Sequence, residues 1–468
     1  MKKLRWIGST SCALALSALA SCGGTTHCVE GTSQSCACTD GRMGAQVCNA
    51  SGTYGACVCT EAPLDASLPD AFVESTTDAS IDTGRVVLDT SSPPADAPGR
   101  CTAGTACVCS DGTGGFCETS GVCDCDPGPV PCAQDVDWLF EIDTSNSMVE
   151  EQVALATELP RLVRILATGD ANGDGAADFA PVRSLHLGVV TPDLGADTAG
   201  IPTCIMGMGD DGILRRTSPS CPSTYPSGVF EFTPGGATSA DDFAATFACV
   251  ARAGTGGCGF EQQLEASLRA LSPSTPTTWT RTGFVPPTFR DGSAGQALSA
   301  NAGFVRADSV LALTIVTDED DCSVPDTSLF TIEDPRYAGV PLNLRCSMFD
   351  TALHPRSRYV DGLLALRVHP GLFVYSAITG VPTGTFADYD AMLEDPAMIP
   401  TPNAEGNALL PVCSSVNGNA YPARRMVEVA RELDAAGVQT SVSSICASSF
   451  ETAVSDVVRA LIAARGSC

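Results

Sequence analysis

Asp143, Ser145 and Ser147 stand two apart directly behind the apolar run Val136-Asp137-Trp138-Leu139-Phe140-Glu141-Ile142. In extended backbone, residues i, i+2 and i+4 share one side, so a carboxylate and two hydroxyls can converge on one point. Oxygen donors of this kind suit the hard cations Mg²⁺, Ca²⁺ or Mn²⁺ and suit zinc or copper poorly. The same residues also suit a polar strand-to-helix connection with Ser147 as N-cap. Two later stretches carry oxygen donors at comparable boundaries. Gly254-Thr255-Gly256-Gly257 precedes a helical pattern, with Thr233 and Thr238 as rivals to Thr255, and Val316-Thr317-Asp318-Glu319-Asp320-Asp321 follows a strand pattern. A separate run, Asp170-Ala171-Asn172-Gly173-Asp174-Gly175-Ala176-Ala177-Asp178, reproduces part of a calcium loop, with Asp170, Asn172, Asp174 and Asp178 as its donors. Pro181 stands where such a loop carries its bidentate acid, and a turn rich in Asp, Asn and Gly gives the same residues.

The elements that must hold these residues are read from periodicity. Strand-like runs fall at 136 to 142, 184 to 190, 309 to 317, 371 to 378 and 437 to 445. Apolar residues recur at helical spacing over 148 to 168, 240 to 252, 260 to 271, 423 to 436 and 449 to 464. Such alternation predicts an α/β domain with a mostly parallel sheet over residues 133 to 468. Inserts rich in Pro and Gly at about 191 to 239, 273 to 305 and 322 to 369 are expected to be surface loops near the sheet edge. Glu141 and Glu261 are acids in otherwise apolar settings, where a salt bridge is the simplest expectation.

The N-terminal third has another character. Met1-Lys2-Lys3-Leu4-Arg5 and the apolar residues after it read as an export signal over residues 1 to 21. Leu19-Ala20-Ser21-Cys22 resembles a bacterial lipoprotein cleavage box, which implies a lipid on Cys22, and Gly23 in place of Asp implies sorting to the outer membrane. An ordinary signal peptide ending near Ala20 is the alternative. Two segments, 22 to 59 and 101 to 132, repeat one cysteine plan, from Cys28 to Cys59 and from Cys101 to Cys125. With few large apolar residues they must be stapled covalently, zinc being the rival reading of their C-x-C pairs. Between them, residues 60 to 100 form an acidic linker rich in Pro, Ala and Ser. The net charge of −28 excludes nucleic acid as a natural partner. Ten cysteines remain from Cys132 onward. Pairing neighbours gives Cys204–Cys221, Cys249–Cys258 and Cys322–Cys346, with Cys413–Cys446 and a terminal Cys132–Cys468 clamp.

In motif order and context the domain resembles the von Willebrand factor A (VWA) family, whose metal-ion-dependent adhesion site uses DxSxS with a distant Thr and a distant Asp. The resemblance covers roughly residues 134 to 468. It implies a Rossmann-like, doubly wound sheet and a metal held by Asp143, Ser145, Ser147, Thr255 and Asp318. It departs at Asn146, where the family commonly has Gly, and at Glu319, Asp320 and Asp321, which follow the third-loop Asp. Neutral Ser and Thr donors would leave the cation electron-poor and receptive to a partner's acidic side chain. The expected function is therefore a lipid-anchored envelope protein that binds a protein or surface polymer through Mg²⁺ or Ca²⁺. A structural envelope protein with a purely stabilising metal is the alternative. A hydrolase ranks behind both, because HExxH and GxSxG are absent and the chain has only His27, His186, His354 and His369.

Overall fold

The computed structural model describes residues 51, 53, 130–196, 201, 204, 209–274, 284–416 and 418–466, with five short strands between residues 33 and 124. Ser33–Ala37 pairs antiparallel with Met43–Val47. Ala106–Val108, Gly114–Cys117 and Cys123–Asp124 form a second small antiparallel sheet, so each cysteine-rich segment contains a hairpin. The lipidation candidate Cys22, the 60 to 100 linker and the side chains of the module cysteines lie outside the described residues.

The main body is built on six strands: β1 (Asp135–Ile142), β2 (Ser184–Val190), β3 (Phe230–Phe232), β4 (Val310–Val316), β5 (Phe373–Thr379) and β6 (Gln439–Ser444). Their spatial order is β6-β5-β4-β1-β2-β3, and every neighbouring pair is parallel except β2 with β3. The flanking helices are α1 (Val149–Thr168), α2 (Ala240–Ala251), α3 (Gln263–Leu271), α4 (Arg356–Leu364), α5 (Arg424–Ala435) and α6 (Glu451–Ala464).

The near-continuous apolar composition of β1 and β4 follows from their place at the centre of this order, where both faces are covered. Along β1, Val136, Trp138, Phe140 and Ile142 face a core shared with α1, α2 and α6. Leu139 faces the opposite core with Leu313, Ile315 and residues of α3, α4 and α5. Trp138 stacks on Phe140 at 4.8 Å and donates its indole N–H to Thr314, 2.9 Å away, so the ring loses no hydrogen bond on burial. Each fully buried side chain of this size contributes about 1.5–3 kcal/mol. The five expected strands and five expected helices all form, with ends displaced by a few residues.

The inserts differ from the expectation of surface loops. The first supplies the edge strand β3, whose Phe230 and Phe232 are buried against α2 aromatics. The third supplies α4 and a small core of its own, in which Leu329, Phe330, Tyr337 and Leu353 cluster with Phe260. Phe260 stacks on Phe330 at 4.1 Å between ring centres. Two of the neighbour pairings of cysteines are also wrong. The bridges are Cys204–Cys258 and Cys221–Cys249. The reason is spatial: α2 carries Cys249 back beside the 218–221 turn, where Ser218 bonds the Cys249 carbonyl. Cys258 then follows α2 into a loop held by Asp193, to which its N–H donates. Cys322–Cys346 and Cys413–Cys446 form as expected. Cys132 is disulfide-bonded, and its expected partner Cys468 lies outside the described residues.

Candidate cation site at the carboxyl end of the sheet

β1 and β4 are adjacent and parallel, so the chain segments leaving their carboxyl ends emerge side by side. Asp143 follows β1 and continues its register, its N–H donating to the carbonyl of Val316 at 3.0 Å. Asp318 follows β4, and its own carbonyl accepts the N–H of Tyr421 at 2.8 Å. Both aspartates are buried, at 0% and 4% exposure. Above them Ser145 is half-buried and Ser147 exposed, so the hydroxyls stand at the solvent edge of the carboxylates.

Four of the five expected site residues are joined by hydrogen bonds or charge. The Ser145 N–H donates to Asp143 Oδ1 at 2.7 Å, and the Ser145 and Ser147 hydroxyls lie 3.1 Å apart. Ser147 hydrogen bonds the carboxyl of Asp318. The N-cap reading fails, since α1 begins at Val149 and neither Ser145 nor Ser147 caps a helix with its side chain. Thr255 is half-buried on a loop pinned to the same place. Gln152 of α1 donates to the carbonyls of Asp143 and Gly254, each at 2.8 Å, and accepts the Gly254 N–H at 3.0 Å. The Gly257 N–H donates to the Thr144 carbonyl at 3.0 Å. A Cβ at 257 would overlap the Thr144 hydroxyl, so this loop reaches the Asp143 segment only with glycine at 257.

Several participants were not singled out from the sequence. Thr317 donates to Asp143 Oδ2 at 2.6 Å and in turn accepts from Gln263 at 3.1 Å. Its hydroxyl was hidden by its position at the end of a strand, where threonine is common for other reasons. Gln152 and Glu151 are buried polar residues on α1, and their sequence signal was a break in an otherwise apolar face.

The electrostatics of this end are one-sided. Glu141 and Glu151 are buried near Asp143, and Glu261 and Glu319 lie beside Asp318 and Asp143. The salt bridges expected for Glu141 and Glu261 do not form; among the described residues no Arg or His pairs with Asp143, Asp318, Glu141, Glu261 or Glu319. Burial, then repulsion from Asp143, pushes the Asp318 carboxyl up to about 7. Burial, with repulsion from Asp318 and Asp143, pushes Glu319 up to about 8. Asp143 is raised by burial against the opposing hydrogen bonds of Thr317 and Ser145, and Glu141 is raised well above its usual range by burial and then Asp143. Asp318 Oδ1 and both oxygens of Glu141 are buried without a hydrogen-bond partner. Buried acceptors in this condition cost about 1–3 kcal/mol each, more when charged.

No known family model and no curated protein matches this chain. The functional reading therefore rests on the residues themselves. Two buried carboxylates, two hydroxyls at the solvent edge and an orphaned carboxylate oxygen are a donor set that fits a hard divalent cation. No group of three or more His, Cys, Asp or Glu with metal-holding geometry occurs among the described residues, so the fit depends on the hydroxyl donors.

The second calcium candidate is built differently. Asp170 accepts the N–H groups of Gly173 and Gly175 at 2.7 and 2.8 Å. Asn172 and Asp174 accept from Asp174 and Ala176, each at 2.8 Å, and Asp178 accepts from Ala171 at 2.9 Å. All four side chains accept from the turn's own amides, a pattern that an Asx-rich connection after the left-handed Gly169 at the end of α1 also gives. The described histidines make structural contacts: His186 with the Phe304 carbonyl and Asp137, His354 with Glu265, and His369 with the Gly371 N–H. No helix among the described residues is long and apolar enough to cross a membrane.

Proposed function

We propose that this chain is a binding protein of the VWA type, with a doubly wound sheet that holds a divalent cation, Mg²⁺ or Ca²⁺, at its carboxyl end. Asp143, Ser145, Ser147 and Asp318 would hold the ion, with Thr255 on the adjoining loop. The observation that carries this reading is the burial of Asp143 and Asp318 near one another with no positive side chain among the described residues to compensate them. The strand order agrees with it, because in an order of 3-2-1-4-5-6 the order in which strands are added reverses between the parallel neighbours β1 and β4, where open sheets of this kind bind ligands. The bound cation would supply a Lewis-acidic position toward solvent that an acidic side chain of a partner protein or surface polymer can occupy. The chain's own part is to exclude water below the ion, through Asp143 and Thr317, and to leave Ser147 at the open side.

A second reading, a purely stabilising cation, is favoured by Glu261 and Glu319, two further carboxyls beside the site that would repel an acidic partner once ionised. Anchoring through a lipid on Cys22 at the outer membrane remains part of the proposal and is supported by Leu19-Ala20-Ser21-Cys22. The test is capture of surface extract on the immobilised full chain with and without chelator, repeated with Asp143→Ala and Ser145→Ala. The adhesion reading requires capture that chelation and both substitutions abolish. Cation binding without any cation-dependent capture selects the stabilising role.

A further inference from the structure

Beside the candidate cation site lies a cleft of about 160 Å³ whose lining includes Phe260, Glu261, Glu319, Leu342, Leu409 and Tyr421. Four acids reach it, and the fold treats them as two pairs. Asp320 and Asp321 are answered by Arg425, whose N–H donates to Asp320 at 3.1 Å and whose guanidinium lies 3.2 Å from Asp321. Asp321 also accepts from the Leu264 N–H and the Ser323 hydroxyl. Glu261 and Glu319 receive nothing comparable. Glu261 is 3% exposed, its carboxyl meets its own backbone N–H and the carboxyl of Glu319, and among the described residues no Arg or His pairs with it. Buried Glu261 and half-buried Glu319, with no Arg or His paired to either among the described residues, thus form the polar end of a cleft whose other walls are aromatic and aliphatic. The walls are rigid, because Cys322–Cys346 spans them and Phe260 is stacked on Phe330.

We propose that this cleft takes a basic side chain of a partner, a guanidinium or ammonium on an apolar stem. The charged head would meet Glu261 and Glu319 as Arg425 meets Asp320 and Asp321, and the stem would lie along Leu342, Leu409 and Tyr421. A metal ion would satisfy the carboxyls but leave the apolar walls without an occupant. This inference needs no cation at Asp143, so it stands or falls apart from the function proposed above.

The probe is agmatine, a guanidinium on a short alkyl chain, titrated into the full-length protein by calorimetry at about 0.15 M salt to screen loose surface binding. Saturable binding is expected, unchanged by EDTA and weakened at least about tenfold by Glu319→Gln or Glu261→Gln, each of which removes a charge-assisted bond. Ser347→Trp, which leaves both acids in place and narrows the cleft, should also block it, with circular dichroism confirming the fold of each variant. Absence of saturation overturns the proposal. So does equal binding of the uncharged isostere N-butylurea, or affinity that survives both glutamine substitutions. A Ca²⁺ site that is lost in Glu261→Gln while agmatine fails to bind would assign the cleft to a metal instead. Agmatine binding in EDTA together with failure of Ca²⁺ and Mg²⁺ to bind would keep this inference and remove the cation reading.

Discussion

Asp137 and Asp143 sit at opposite ends of β1, both beyond the reach of solvent, and the fold answers them in opposite ways. Asp137 is saturated with donors. Arg306 gives it a guanidinium N–H at 2.7 Å and a backbone N–H at 2.6 Å, and Ser309 gives a hydroxyl at 2.5 Å. His186 stands 3.5 Å away and Arg367 3.9 Å. Asp143 has the Thr317 and Ser145 bonds and is otherwise surrounded by acids. The difference teaches that this sequence can supply arginine to a buried carboxylate and does so at the amino end of the sheet. At the carboxyl end Arg425 answers Asp320 and Asp321, but among the described residues no positive side chain pairs with Asp143 or Asp318, in the place where an open sheet presents ligands. A buried charge deficit confined to one end is what a site for a foreign cation requires.

The strongest way to break this contrast is to remove compensation where it exists. Arg306→Ala should destabilise the protein by about 3–5 kcal/mol in denaturant titrations, because Asp137 is left buried and poorly paired. Asp143→Asn, measured without divalent cation, should leave stability unchanged or raise it by about 1 kcal/mol. Equal losses at both ends would erase the distinction.

Next comes pH. In the fold Asp318 is raised from an ordinary 3.8 to about 7 and Glu319 from 4.5 to about 8. Between their unfolded and folded values the native chain binds more protons than the unfolded one, so stability falls as pH rises. The stabilising protonation is complete below the unfolded values and is lost as pH passes through about 7 to 8. Carboxylates lowered by arginine, such as Asp334 at about 2, act with the opposite sign but at lower pH. Cation-free protein should therefore be more stable at pH 5 than at pH 8, by about 2 kcal/mol or more. Saturating Ca²⁺ should flatten or reverse the slope, which thermal melts across the pH series would show.

Smaller effects sharpen the geometry. Gly257→Ala should cost about 1–3 kcal/mol through overlap with Thr144 and should weaken cation binding by displacing the Asp143 segment. Thr255→Ala should leave the melting temperature in place and lower cation affinity about tenfold. Unchanged affinity would remove Thr255 from the site and leave Thr317 as the threonine that matters.

Much of this arrangement is legible in the sequence. Near-continuous apolar runs mark β1 and β4 and a period-3.6 pattern marks α1, and with them the strand ends that carry Asp143 and Asp318. What escaped were features without a local pattern. β3 is three residues, Phe230–Phe232, too short to alternate, and α4 has only two turns inside a loop-like composition. The Cys204–Cys258 and Cys221–Cys249 bridges reflect where α2 returns the chain, a tertiary fact. Glu141 and Glu261 looked like halves of salt bridges because most buried acids are paired. Their unpaired state emerges only when every neighbouring side chain is placed.

The most direct test is calorimetric titration of Ca²⁺ and Mg²⁺ into the chelator-stripped full chain, in buffers of different ionisation enthalpy. A saturable site with Kd of about 10⁻⁴ M or tighter is expected, with net proton release near neutral pH that reports displacement of the Asp318 proton. Binding should vanish in Asp143→Ala. Absence of saturation up to about 10 mM cation, or binding that persists unchanged in Asp143→Ala without proton release, would contradict the account.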